Sequence, residues 1–541
     1  MPSTATPSTS LAAFSISAKT RKILWWGLCF MLVARIVCNT VIPLADDTEA
    51  RYGEIARKMI ETNDWVTPLH DYKVDRATCE EVACVELGKL SYGVPFWAKP
   101  PLSTWLAAIS MKLLGVNEFA ARLPSTLLGI AMLVLVWHWC APRRGRDFAL
   151  AACTTLAGMS LFFMAAGAVM TDSSLTICTT LTMVSFWKAM HPEQLSDDRE
   201  SARRRQRIWG YLFFVGLGFG LLAKGPLVGV LTFMPILPWL LLHKDRTQEE
   251  STWLRAWRSL PWISGSILML VIGLPWYLIA EHATPGFIAY FILGENLGRF
   301  LHTGWSGDKY GHAHAEPLGM IWAFWLITAL PWSVVFLTRI KAFFSGGRTW
   351  IAGSDGWLSY LLLWSFMPIV FFTFAHNIIW PYPFQTLPAL AVLTMELLSR
   401  GNSKKPIGTA LAALNFFTPA VLLIVAAMYA SDHYGLLKAS QKDSAEYYLH
   451  VRSSPDDGLY FYRHRYFSAE FYTAGKARAV KRGHIGDLLD DGHTDFLVMY
   501  ADELAKLSPD LRAHFRQLKT FGDFVMLREI TAETSTAQPH T

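Results

Sequence analysis

The chain alternates long apolar runs with short polar loops, and this alternation limits what it can fold into. The runs lie at about 23–42, 123–140, 148–168, 173–190, 208–223, 227–242, 260–281, 319–339, 357–375, 379–399 and 408–430. Most approach the ~20 residues that carry a helix across a hydrocarbon core of ~30 Å. In the 541 residues, hydrophobic types make up 52% and charged types 17%, against roughly 25% charged in soluble domains. Disorder, a coiled coil and a disulfide-built miniprotein are thereby excluded. The fold class expected is an α-helical polytopic membrane protein.

Charge supplies the topology. Basic residues follow alternate runs: Arg143, Arg144 and Arg146; Arg199, Arg203, Arg204, Arg205 and Arg207; Lys244, Arg246, Arg255 and Arg258; Lys341 and Arg348; Arg400, Lys404 and Lys405. The positive-inside rule puts these loops and the N-terminus in the cytoplasm. The opposite face then receives 46–101, 171–172, 224–225, 282–317, 376–378 and the tail from 431. The apolar stretch 102–114 is short for a span, and a crossing there would turn every later basic loop outward. It is read as a helix on the outer membrane surface, which leaves about 11 spans with the C-terminus outside.

The expected organisation is a disordered cytoplasmic segment 1–20, a membrane domain 21–430 with its first outer loop at 43–122, a small outer α/β domain at 431–530, and a disordered tail 531–541. The tail domain is read from short β-like pieces (458–462, 494–499, 523–527) between helical ones (485–489, 501–507). The net charge of +6 sits in loops between spans, so no nucleic-acid partner is implied. Most of the 7 cysteines lie in apolar runs as small hydrophobes. Only Cys79 and Cys84 share a polar loop, where an oxidising compartment would permit a structural disulfide.

The chemistry-bearing residues collect on the outer face. The stretch 48–62 carries Tyr52, Ile55, Met59 and Ile60 at helical spacing and reads as an amphipathic interfacial helix. Asp46 and Asp47 just before it would cap the helix, or one of them is a carboxylate base at the lipid boundary. Arg51 and Lys99 would contact lipid headgroups, or form a site for a phosphate whose charge grows during reaction. Pro100 and Pro101 fix the backbone after Lys99. Asp172 and Lys224 each stand at an outer turn between spans, where a polar residue suits the turn and Lys224 could reach a phosphate. His302, His312, His314 and Glu316 share one loop; the pair His312 and His314 with the nearby carboxylate could hold a metal, yet no fourth ligand stands at a fixed spacing from them. Arg299 faces the same surface.

The ordered motifs EARYGEIARKM (49–59), DW (64–65), KPPLSTW (99–105), VMTDSSL (169–175), AKGPL (223–227), ENLGRF (295–300), ALPW (329–332) and the Pro381–Tyr382 pair resemble those of the lipid-linked-sugar glycosyltransferases of GT-C fold. Within that superfamily the chain is most similar to the bacterial aminoarabinose lipid A transferases, relatives of the protein O-mannosyltransferases. The likeness covers roughly 20–400. It implies transfer of a sugar, such as an amino sugar or pentose, from a polyprenyl phosphate carrier to an acceptor such as lipid A or lipopolysaccharide, on the periplasmic side of a bacterial inner membrane.

Carried over by position, the resemblance makes Asp47, then Asp46, the catalytic carboxylate, because Thr48 stands where the family has its Asp while Glu49 is retained. Asp172 would be a second acid of the active site. Arg51, Lys99, Arg299 and Lys224 would hold the donor phosphate, and Tyr382 and Tyr52 would complete the donor site. Ala98 and Asn296 replace a Glu and a His that can share a metal in relatives, so a divalent metal is not favoured and the lipid-linked sugar is the only co-substrate implied. His376 stands where a Lys is expected. The readings kept beside this one are a protein O-glycosyltransferase and a flippase of a lipid-linked sugar. A flippase would place its ionisable groups near mid-span, whereas here they gather at one face.

Overall fold

A computed structural model of the chain describes residues 14–46, 48–74, 84–88, 91–194, 198–243, 251–302, 305, 307–310, 314–352, 355–400, 408–431, 439–489 and 492–530. The protein is mostly helical. Five described helices are long and apolar enough to cross a membrane: Ala18–Val41, Glu118–Arg144, Arg199–Lys224, Trp262–Ala283 and Thr409–Ala430. Met320–Thr328 and Trp332–Thr338 form a further candidate, bent by 106°. Leu102–Leu114, Leu227–Leu242 and Trp357–Thr373 are shorter apolar helices.

Several apolar runs are broken where backbone chemistry demands it. The run 148–168 becomes Arg146–Gly158 and Ser160–Ala165, with extended Met159 between them. There the Ser160 amide leaves the helix ladder and donates to the Leu330 carbonyl at 2.8 Å. The run 379–399 holds Pro381 and Pro383, which cannot donate to a helix ladder. It opens as a 3-10 turn, Tyr382–Thr386, and becomes an α-helix only over Leu387–Ser399.

The chain divides into two compact units. The first comprises 1–38, 65–106 and 122–424. Its core is aromatic, with Trp139, Trp187, Trp239, Trp357, Tyr360 and Trp364 packed together; the Trp139 and Trp357 centroids lie 4.6 Å apart. Its first loop contains a three-stranded antiparallel sheet, which the sequence reading did not foresee: β1 (Leu69–Val74), β2 (Val85–Gly88) and β3 (Ser91–Pro95), in the order β1-β3-β2. β3 leads directly to Lys99. Cys84 is disulfide-bonded, and Cys79 lies outside the described residues.

The second unit comprises 39–64, 107–121 and 425–541. Its sheet holds β4 (Leu459–Tyr462), β5 (Ala477–Val480), β6 (Phe496–Tyr500), β7 (Phe515–Phe521) and β8 (Phe524–Glu529) in the order β5-β4-β6-β8-β7. β4 runs parallel to β5 and β6, pairing Leu459 with Ala477 and Phe496, while β8 is antiparallel to β6 and β7. Successive β6 side chains point to opposite faces. Phe496 and Val498 pack with Leu459 and Phe461, and Leu497 and Met499 with Val480 and Val525. Both faces of the sheet are therefore covered.

The helix Glu49–Thr62 belongs to this second unit and corrects the expectation of a one-sided interfacial helix. Residues 50 and 52–59 are all buried, Glu54, Arg57 and Lys58 among them. The charges are tolerated because they are paired. Arg57 binds Glu54 and Glu61, each at 2.6 Å, and Lys58 lies 3.2 Å from Glu470, which also accepts from Arg465 at 2.9 Å. The expected Asp cap is also corrected at Asp46. The N-cap position is Thr48, which makes no side-chain capping bond.

Candidate functional site

In the first unit, five of the expected site residues line or adjoin one cavity of about 480 Å³, which Lys99, Lys224, Glu295, Arg299, Asn377 and Tyr382 border. Lys99 sits on the bend between β3 and the helix Leu102–Leu114. The two prolines that follow cannot donate backbone hydrogen bonds, so the bend persists until the helix starts. The Lys99 ammonium donates to the Ala98 carbonyl at 2.7 Å and forms a close ion pair with Glu295.

Glu295 is carried by a π-helical turn, Tyr290–Gly298, a geometry frequent at functional positions. Two glycines let Trp305 lie against this turn; a Cβ at Gly294 would stand 2.5 Å from the indole. The same oxygen of Glu295 that faces Lys99 accepts from Arg299 at 2.7 Å, across one helical turn. The Arg299 guanidinium also lies 3.3 Å from Asp308. Burial works against the Arg299 charge, but Glu295 and Asp308 together hold its pKa above the ordinary value.

Tyr310 anchors this loop to the strand that presents Lys99. Its hydroxyl donates to Pro95 O at 2.6 Å and accepts from the Trp97 amide at 3.0 Å, and burial raises the phenol's pKa. On the other side of Arg299, the Asn377 amide donates to the carbonyls of Arg299, at 2.5 Å, and His302, at 2.9 Å.

Lys224 ends the helix Arg199–Lys224, and the chain turns at Gly225 with φ +74. Its ammonium donates to Asp172 at 2.7 Å and lies 4.8 Å from the centre of the Tyr382 ring. Asp172 is in the first turn of Thr171–Met190, and both partners of the pair are under a tenth exposed. Thr176, one turn on, bonds Gln385 at 2.9 Å, in the same 3-10 turn that carries Tyr382.

Asp46, Glu49, Arg51 and Tyr52 belong to the second unit. Asp46 accepts from the Ser468 amide at 2.8 Å and from the Ser468 hydroxyl. It therefore ties the N-terminal part of this unit to the helix Phe467–Tyr472. Glu49 accepts from the Ala45 amide at 3.2 Å. The Arg51 guanidinium lies 5.8 Å from the ring of Tyr52 and 5.9 Å from that of Phe467. Asp47 and His312 lie outside the described residues.

Glu295, Asp308 and Asn377 were missed as site residues. The i,i+4 spacing of Glu295 and Arg299 was a readable signal for the first. Nothing local pointed to the other two. Among the described residues, no three His, Cys, Asp or Glu side chains come together as metal ligands.

Residues 29–291 match the family model of the dolichyl-phosphate-mannose-protein mannosyltransferases. A Pseudomonas savastanoi pv. phaseolicola protein named undecaprenyl phosphate-alpha-4-amino-4-deoxy-L-arabinose arabinosyl transferase is 25% identical over 413 residues, covering 73% of this chain and 67% of its own length. The protein of the same name from Erwinia tasmaniensis is 27% identical over 357 residues, covering 65% and 54%. The chain thus spans between 52% and 67% of the length of such curated relatives. Among solved structures, ArnT from Cupriavidus metallidurans matches with a TM-score of 0.71 in the apo state and 0.70 bound to undecaprenyl phosphate, at 18% and 17% identity. Both matches cover 97% of this chain and 100% of that one. The chain has the GT-C fold of that structure, and in sequence it resembles the lipid-linked-sugar glycosyltransferases, the aminoarabinose transferases and protein mannosyltransferases among them.

Proposed function

We propose that the chain is a membrane glycosyltransferase that moves an amino sugar or pentose from a polyprenyl phosphate carrier to lipid A or lipopolysaccharide. The observation that carries this reading is the convergence of Lys99 and Arg299 on one carboxylate at a cavity wall, that of Glu295, which lies 196 residues from Lys99 and 4 from Arg299. Two cations in a partly dehydrated cavity suit a phosphate group. In the reaction the bond from the anomeric carbon to the phosphate oxygen breaks as the acceptor oxygen joins that carbon. The carrier leaves as a phosphate monoester of higher charge, and Lys99 and Arg299 stabilise it.

The remaining assignments belong to the same proposal. Asp47, with Asp46 as the alternative, takes the acceptor's proton or orients its oxygen, and Glu49 supports it. Asp172 and Lys224, beside Tyr382, shape the donor side of the cavity, and Arg51 and Tyr52 add to donor binding. The chain crosses a bacterial inner membrane about 11 times within 21–430, with the site and an α/β domain at 431–530 on the periplasmic side. A protein hydroxyl is the second acceptor considered, and the match to protein mannosyltransferases favours it.

The test is mass spectrometry of lipid A and of envelope glycoproteins from cells lacking the protein, complemented with the wild type, Asp47→Asn or Lys99→Ala. One sugar increment on lipid A, present with the wild type and absent with both variants, is expected. An increment lost from glycoproteins alone moves the acceptor to protein. Full activity of Lys99→Ala would overturn the phosphate site.

A further inference from the structure

We propose that Glu295 is a displaceable counter-ion that occupies the place of the donor phosphate between Lys99 and Arg299 and, on its return, expels the product. The proposal rests on the reading of the cavity as a polyprenyl phosphate site. It starts from an asymmetry in one side chain. A single oxygen of Glu295 serves both cations, while its other oxygen has no hydrogen-bond partner among the described residues although the side chain is only 3% exposed. A buried carboxylate half satisfied in this way is held by charge rather than by a complete set of bonds, and such networks are the readiest to rearrange.

Charge balance gives the direction of the rearrangement. Lys99 and Arg299 face Glu295 and Asp308, two positive charges against two negative. A phosphodiester adds one negative charge, and the monoester left after transfer adds more. Carboxylate and phosphate oxygens make the same charge-assisted bonds to Lys and Arg. If Glu295 stayed in place it would compete for the same N–H donors and repel the newcomer within a few ångströms. It must turn aside as the phosphate enters.

The local backbone suits such a movement. Glu295 lies in the middle of the π-helical turn. Before the turn, Glu281 accepts from the amides of Gly286 and Ile288 at 2.9 and 2.7 Å. At its far end Asn377 clamps the Arg299 carbonyl. The ends are fixed and the carboxylate between them opens onto the cavity. When the monoester has formed, the returning carboxylate reclaims Lys99 and Arg299 and lowers the hold on the product. Glu295 is thus a positioning residue that limits product affinity.

The experiment measures binding of undecaprenyl phosphate in detergent micelles, together with steady-state transfer, for the full-length wild type, Glu295→Gln, Glu295→Asp and Lys99→Ala. Glutamine keeps the shape and an acceptor oxygen but not the charge. Glu295→Gln is expected to bind the carrier phosphate about tenfold more tightly, with kcat and the donor KM both falling as product release slows. The shorter carboxylate of Glu295→Asp, which keeps the charge, is expected to fall between, and Lys99→Ala to bind more weakly than wild type. Equal or weaker binding by both Glu295 variants, beside a wild type that binds and a Lys99→Ala that does not, would make Glu295 a brace for the cations and overturn the inference alone. A wild type that shows no binding would remove the phosphate reading itself and the inference with it.

Discussion

Glu470 shows how a single buried carboxylate links stability to pH. Burial disfavours its charge, but Lys58 and Arg465 more than compensate and hold its pKa below the ordinary glutamate value. A carboxyl group whose pKa is depressed by folding adds stability above its unfolded pKa, about 4.3, and that contribution disappears as pH falls through the folded value. Glu470→Gln would leave Lys58, which has no solvent-exposed side-chain surface, without that partner. We expect a loss of about 3 kcal/mol at pH 7, in the range for breaking a buried pair. The difference from wild type should shrink progressively below about pH 4. Thermal melts of the detergent-solubilised protein between pH 7 and pH 3 would check this; a difference independent of pH would refute the linkage.

At the level of elements, the turn after Lys224 and the π-helical turn depend on each other. Gly225 has φ +74, and a Cβ there would meet the Phe291 ring at 2.6 Å. Phe291 is buried on the same turn as Glu295. Gly225→Ala should therefore cost about 1–3 kcal/mol in backbone strain and also shift the turn that carries the carboxylate. A thermal melt reads the first effect and the donor KM the second; an unchanged KM would separate the two turns. These elements differed in how legible they were. Leu102–Leu114 and Leu227–Leu242 form over the stretches read from apolarity, the second with Pro235 and Pro238 inside it. The run 319–339 bends by 106° next to Pro331, a residue that hydrophobicity alone passes over. β1, β2 and β3 are too short for alternation to stand out. Lys99, Lys224 and Asp172 were found because each is a polar group at the edge of an apolar run, Arg299 as a cation of the outer loop 295–317, and Tyr382 through the family resemblance alone. The pairing of Lys99 with Glu295 was not, since partners 196 residues apart leave no local trace.

The second unit of the molecule is assembled from three separated stretches, 39–64, 107–121 and 425–541. Its charged side chains are paired across these stretches. Lys58 finds Glu470, Asp46 finds Ser468, and Glu118 pairs with Lys442 and accepts from Tyr472 at 3.0 Å. A chain truncated at 430 should consequently leave these early segments unsatisfied instead of shedding an accessory module. Aggregation or loss of a monodisperse peak on size-exclusion chromatography is expected; a well-behaved truncation would show that the tail is dispensable for folding. The same division has a consequence during synthesis. Lys58 and Glu470 are 412 residues apart, and translation at ~5–20 residues per second separates their emergence by roughly 20–80 s. For that interval the helix Glu49–Thr62 lacks the partner that permits its burial. Burial of this helix therefore waits until Glu470 has left the ribosome.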